Sequence, residues 1–253
     1  MNSVFGVSES GSLKACVCVC VCVCVCVCVC VLIHCSSMLP TVKKDRIITQ
    51  LPKCFSPNAA LHTKDGFHPQ VQAVCQVQRA GTLSFNIAKV IVVGDVAVGK
   101  TCLISSFCKR DFEKNYKATI GVDFEMERFE VLGVPFSLQL QWLEDAMRDN
   151  DPSSVLLFLV GTKKDLSAPD QLAHIEQEAM RLSEEIKAEY WAVSAKSGDG
   201  IRDFFFRVAS LTFEANVLSE LEKQESRNFG DIIRITDSTE ANHNPAKRKP
   251  NCC

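Results

Sequence analysis

The sequence has little net charge and no Cys-x-x-Cys pair. Its 28 Lys+Arg against 30 Asp+Glu leave a formal charge of −2. That balance argues against a general nucleic-acid binder, which needs an excess of cations to meet a phosphate backbone. No Cys-x-x-Cys pair occurs, and His62 and His68 have no cysteine cluster beside them. The usual zinc layouts are therefore missing, and these histidines read as solvated or loosely packed. Fifteen cysteines would suit a secreted disulfide scaffold until they are located. Eight fall on alternate positions from Cys16 to Cys30, and two end the chain. Only Cys35, Cys54, Cys75, Cys102 and Cys108 remain, so the folded part reads as cytosolic with reduced thiols.

Against these absences stands one dense motif. Val90 to Val93 is a β-branched apolar run that fits a buried strand. Gly94 to Thr101 follows as G-x-x-x-x-G-K-T, the phosphate-binding loop. Leu103, Ile104 and Phe107 then recur at helical spacing, so the loop opens a helix. A helix start presents N–H groups without intrahelical partners and the positive end of a dipole. Gly94 and Gly99 let the main chain curl round a phosphate, and Lys100 reaches its outer oxygens. The Thr101 hydroxyl is a ligand for Mg²⁺.

The 253 residues allow one ordinary domain plus tails. Residues 1–37 read as a low-complexity, non-native extension, translated repeat DNA upstream of the true start, because Val-Cys alternation is what a GT dinucleotide repeat encodes; its β-branched Val favours strand over helix. Met38 follows in a context like an ordinary protein start. The alternative for residues 15–33 is a signal core or membrane span, since 19 apolar residues reach that length. Residues 38–88, with Pro40, Pro52, Pro57 and Pro69, read as an extended arm with one helical turn near Arg46 to Leu51. The main domain is expected over 89–223. Within it, Phe112 to Ile120 suits a loop over the nucleotide, with Thr119 as its metal-binding hydroxyl. Val122 to Val131 and Pro135 to Leu140 read as a hairpin turning at Leu132-Gly133. Trp142 to Arg148 reads as a short helical piece, and Val155 to Val160 as a buried strand. An Asp just after a strand, Asp165, accepts two hydrogen bonds from guanine that adenine cannot supply. Ser194-Ala195-Lys196 follows a last strand at Tyr190 to Val193, where backbone N–H groups meet the guanine oxygen. Helices are expected over Gln171 to Ile186 and Ile201 to Lys223. Residues 224–253 read as a flexible tail, with Arg227 to Pro250 a disordered tether. Lys247-Arg248-Lys249 before Cys252-Cys253 suggests a double lipid attachment site beside a basic cluster.

These motifs together resemble the Rab family of small GTPases: the phosphate loop, Thr119, Ile120-Gly121-Val122-Asp123-Phe124, Thr162 to Asp165, Ser194 to Lys196 and the Cys-Cys end. Lys114 to Leu140, Ala188 to Val193 and the arm from Met38 point to one branch of it. The resemblance implies an α/β fold with a mostly parallel sheet flanked by helices. It implies GTP or GDP with Mg²⁺, held by Ala97, Val98, Gly99, Lys100, Thr101, Cys102, Tyr116, Thr119, Lys163, Asp165, Ser194, Ala195 and Lys196. It implies an effector surface at 120–124 and prenyl groups on Cys252 and Cys253. Its implied partners are effectors, an exchange factor, the escort and prenylation machinery and a GDP dissociation inhibitor. Its implied setting is the cytosol and the cytoplasmic face of Golgi, endosomal, macropinosome or phagosome membranes and the cilium base, with roles in lysosome positioning and cilium assembly.

One departure from the family cuts into its chemistry. The second hairpin strand should end in Trp-Asp-Thr-Ala-Gly-Gln-Glu, but Leu140 passes directly to Gln141-Trp142-Leu143. Roughly 40 residues are absent by that comparison, far beyond loop-length variation. They hold the family's Mg²⁺-positioning Asp, its γ-phosphate Gly, its water-orienting Gln, a helix and a central strand. No catalytic residue is therefore assigned. The missing strand belongs between the Val90 and Val155 strands, which are expected either to carry bare edges or to close up and pair directly.

Overall fold

A computed structural model describes residues 26–34, 42–59, 64–78, 87–112, 124–142 and 155–237. Among the described residues seven strands form one sheet: β1 (Cys26–His34), β2 (Ile47–Ile48), β3 (Ile87–Val93), β4 (Phe124–Val131), β5 (Val134–Trp142), β6 (Leu156–Gly161) and β7 (Glu189–Ala192). Their spatial order is β2-β4-β5-β3-β1-β6-β7. β3, β5, β6 and β7 run the same way, while β1, β2 and β4 oppose them. The helices are α1 (Pro69–Gln78), α2 (Lys100–Cys108), α3 (Pro169–Ile186) and α4 (Ile201–Asp237). The expected α/β architecture, a sheet flanked by helices, is what forms.

The hairpin of β4 and β5 turns at Leu132 and Gly133, both with positive φ (52° and 83°). Two such residues give the tight turn whose twist matches that of the strands. Behind the sheet, α4 is buried nearly all round from Phe204 to Phe213. Phe107 stacks on Phe205, and Phe158 and Phe136 meet Phe204 and Phe213 edge-on. Ser210 and Thr212 lie inside this apolar helix with their hydroxyls donating to the Phe206 and Val208 carbonyls, so no buried donor is wasted.

Burial all round α4 requires a cover on its far side, and the N-terminal arm supplies it. The expectation of an extended arm with a helical turn at Arg46 to Leu51 is corrected. Lys44–Arg46 make one 3-10 turn, Ile47–Ile48 pair with β4, and Pro69–Gln78 form a helix. Phe67, Val71 and Cys75 enter the core at helical spacing, and Pro69 stands at the first helical position where its missing N–H is harmless. Two buried ion pairs fix the arm. Arg207 donates to both oxygens of Glu189 (3.0–3.3 Å) and to the Pro52 carbonyl (2.8 Å). Arg46 donates to Glu127 (3.0 Å) and to the Phe107 carbonyl (2.9 Å) while lying over the Phe107 ring.

Three further expectations change. β5 runs on through Gln141 and Trp142, so no helical piece begins at Trp142, and residues 143–148 lie outside the described residues. α4 continues to Asp237, past the tether expected from Arg227, because lengthening an existing helix adds one hydrogen bond for each residue fixed. Most consequentially, β3 and β6 neither stand bare nor pair with each other. Part of the Val-Cys repeat lies between them as β1, antiparallel to both. Residues 26–34 are thus a strand of this sheet and not part of a spanning helix. Among the described residues no helix is long and apolar enough to cross a membrane.

Candidate functional site

β3 delivers the chain into the phosphate loop, and α2 carries it away. Gly94 (φ 151°), Ala97 (φ 63°) and Gly99 (φ 99°) hold conformations that side chains disfavour, and together they curl the loop. Leu103 N is the first to close α2, onto the Gly99 carbonyl at 2.8 Å, so the N–H groups of Lys100 to Cys102 precede the helical ladder. Lys100 Nζ crosses the loop mouth, donating to the Gly94 and Asp95 carbonyls (2.7 and 2.8 Å). Val98 is buried beneath the loop. Thr101 and Cys102 are half-buried at the start of α2.

The loop after β6 straps this one from the side. The buried Thr162 hydroxyl donates to the Val98 carbonyl (2.7 Å), and Lys163 Nζ donates to the Ala97 carbonyl (2.8 Å). Lys163 itself takes a left-handed conformation (φ 58°), which turns the chain so that Asp165 follows on a 3-10 turn. The loop after β7 completes the group. The Ser194 hydroxyl donates to Asp165 Oδ1 (2.6 Å), and Lys196 Nζ lies 3.8 Å from Oδ2. Ser106 of α2 donates to the Ala195 carbonyl (3.1 Å), tying the third loop back to the phosphate-loop helix. Ala97 through Cys102, Lys163, Asp165 and Ser194 through Lys196 thus converge from three strand ends. A carboxylate held by a hydroxyl and an ammonium group is oriented, and lysines around the loop favour an anionic ligand.

Tyr116, Thr119, Ile120, Gly121, Val122 and Asp123 fall in 113–123, and Cys252 and Cys253 in 238–253, outside the described residues. Phe124 opens β4 opposite Gln141. The reading of single residues missed Thr162 and Ser106, whose roles are contacts across 64 and 89 positions. Thr162 carried a signal, its place heading the Thr-Lys-Lys-Asp quartet; Ser106 carried none.

The geometry fits a polyphosphate better than it fits a metal. The loop is curled as a phosphate requires. Among the described residues no group of three His, Cys, Asp or Glu could hold a cation. Mg²⁺ commonly sits on one or two carboxylates plus substrate phosphates. Here only Thr101, of the expected ligands, is within the described residues.

The Ras family model matches residues 89–142 and 134–214, in two pieces rather than one run. Ras-related protein Rab-34 of Sus scrofa and of Homo sapiens is 52% identical over 257 residues, covering 86% of this chain and 99% of theirs. The chain is a Rab-type small GTPase. Ras-related protein Rab-36 of Homo sapiens is 43% identical over 242 residues, covering 79% of this chain and 91% of its own. The branch of the Rab family expected from Lys114 to Leu140 and the arm is therefore that of Rab-34 and Rab-36. The Rab-34 comparison also leaves positions unmatched. An alignment of 257 positions that takes in 86% of a 253-residue chain holds about 218 of its residues, so about 39 positions face none. The number is similar in size to the roughly 40 residues expected to be missing.

Proposed function

We propose that this chain binds GDP and GTP at the converged loops and hydrolyses GTP far more slowly than a complete Rab protein. Binding is supported by the strap from Thr162 and Lys163 to the Val98 and Ala97 carbonyls, which sets a phosphate cradle beside a guanine-reading carboxylate. Asp165 reads the base, Lys100 and the start of α2 hold the phosphates, and Thr101 with Thr119 would hold Mg²⁺. When bound, that ion neutralises charge between the outer phosphates. Slow turnover follows from the gap after β5. Gln139 and Gln141 flank the junction without the family's Asp-x-x-Gly, so the sequence there supplies neither its metal-positioning Asp nor its water-orienting Gln in context.

In this reading the protein is a peripheral one, carried on the cytoplasmic face of Golgi, endosomal or phagosomal membranes, or at the cilium base, by prenyl groups on Cys252 and Cys253. Two chains anchor stably where one does not. Residues 120–124 face effectors. Exchange factor, escort and prenylation machinery and GDP dissociation inhibitor act on it as on other Rab proteins, and nucleic acid is not a partner. Single-turnover hydrolysis of bound GTP tests the reading. The expected rate is on the order of 100-fold or more below that of an intact Rab protein, since one lost transition-state donor alone costs that much. A rate equal to that of the intact protein would defeat it.

A further inference from the structure

β1 alone separates β3 from β6 in the sheet, and the nucleotide site is divided along that same line. β3 leads into the phosphate loop. β6 leads into Thr162 to Asp165, and β7 into Ser194 to Lys196. The bonds from Thr162 to Val98 and from Lys163 to Ala97 therefore span a join whose width is set by β1.

The register shows why this repeat can fill that place. Val27 stands opposite Val160, Val29 opposite Val92 and Phe158, and Val31 opposite Val90. All four of those neighbours belong to the main core beneath α4. Cys28 stands opposite Val93 and Leu159, and Cys30 opposite the buried Ile91 and, on the other side, Leu157. Of these, Val93, Leu157 and Leu159 belong to the second apolar cluster, with Ala179 and Met180 of α3. The two-residue period of the repeat thus coincides with that of both flanking strands. Because Cys16 to Val31 repeats every two residues, a slip by two restores the same pattern, so the slot can be filled without a unique sequence.

We propose that the Val-Cys repeat serves this chain as the central strand that joins the phosphate half of the site to the base half, so that nucleotide binding requires residues 26–34. The proposal rests on the guanine-nucleotide reading above. The extension then has a structural role, because its main chain supplies ladder partners to two strands that would otherwise present buried, unpaired edges.

Hydrogen exchange and GDP binding, measured together on three chains, test it. They are the full chain, the chain begun at Met38, and the full-length double variant Val23→Pro/Val29→Pro. The double variant leaves no unbroken apolar run of nine residues in the repeat, and proline removes ladder donors. In the full chain, amides of Ile87–Val93 and Leu156–Gly161 are expected to exchange slowly and GDP to bind. In both altered chains, exchange there should quicken by about 100-fold or more and GDP binding should be lost. Equal protection and equal binding in the chain begun at Met38 would overturn the proposal, as would fast exchange of β3 and β6 in the full chain. Repeat-dependent protection without GDP binding in the full chain would instead overturn the nucleotide reading and leave the strand's role standing.

Discussion

Where the N-terminal arm meets α4 and β7, the contacts join particular side chains; where β1 meets β3 and β6, they join main chains. Arg207 reaches Glu189 and the Pro52 carbonyl, and Glu214 accepts from the His68 N–H and from Lys64. Each of those bonds needs the charged side chain of Arg207 or Glu214 at one end. β1 asks only for backbone donors and acceptors and an alternation of small apolar residues. A specific interface therefore depends on single residues, whereas a periodic one tolerates substitution and fails only when its backbone is blocked.

Substitution should expose that contrast most sharply at Glu189. Glu189→Ala leaves Arg207 buried without its partner, and breaking such a pair costs about 3–5 kcal/mol. Urea unfolding should show that loss, whereas Cys28→Ala in β1 should change the midpoint far less. Equal losses would erase the distinction. Thr162→Val comes next, because it leaves the Val98 carbonyl without its buried donor, at about 1–3 kcal/mol. The same variant should weaken GDP binding, since it loosens the strap between the two loops.

A smaller effect should appear at high pH. Burial pushes the Cys108 thiol up to about 12, helped by the nearby Glu127 and Glu125 carboxylates. The folded state thus favours the protonated thiol. Its contribution is complete below the ordinary value of 9.0 and is lost as pH rises from there toward 12. Cys108→Ala should flatten that alkaline part of the stability profile, and an unchanged slope would count against burial as the cause. Least of all should come from Lys43→Ala. Lys43 pairs with Glu127 at 3.1 Å, but its own side chain is 59% exposed. A shift beyond about 1 kcal/mol would show that the exposed end of the arm matters as much as its buried end.

The same contrast explains what was legible in the sequence. Gly94 to Thr101 declared a phosphate loop because its chemistry is local: two glycines, a lysine and a hydroxyl within one turn and a helix start. Asp165 and Ser194 were legible by their order after predicted strands. Arg46, Glu189 and Arg207 were not, because a charged residue reads as solvated until the fold brings its partner from far along the chain. α1 was hidden because Gln70, Gln72, Gln76 and Gln78 alternate with apolar neighbours, a period of two rather than of a helix. The Val-Cys repeat was legible as a strand former by its period, but not as a member of the sheet. That role depends on a place left open elsewhere, and nothing in residues 16–31 records it.

Titration calorimetry of the full chain with GDP and with ADP, each with Mg²⁺, tests most directly whether the three loops make one guanine-nucleotide site. Heat with GDP, none with ADP, and loss of the GDP signal in Asp165→Ala are the results expected. No heat with GDP, or an Asp165→Ala chain that binds GDP as the unaltered chain does, would contradict it.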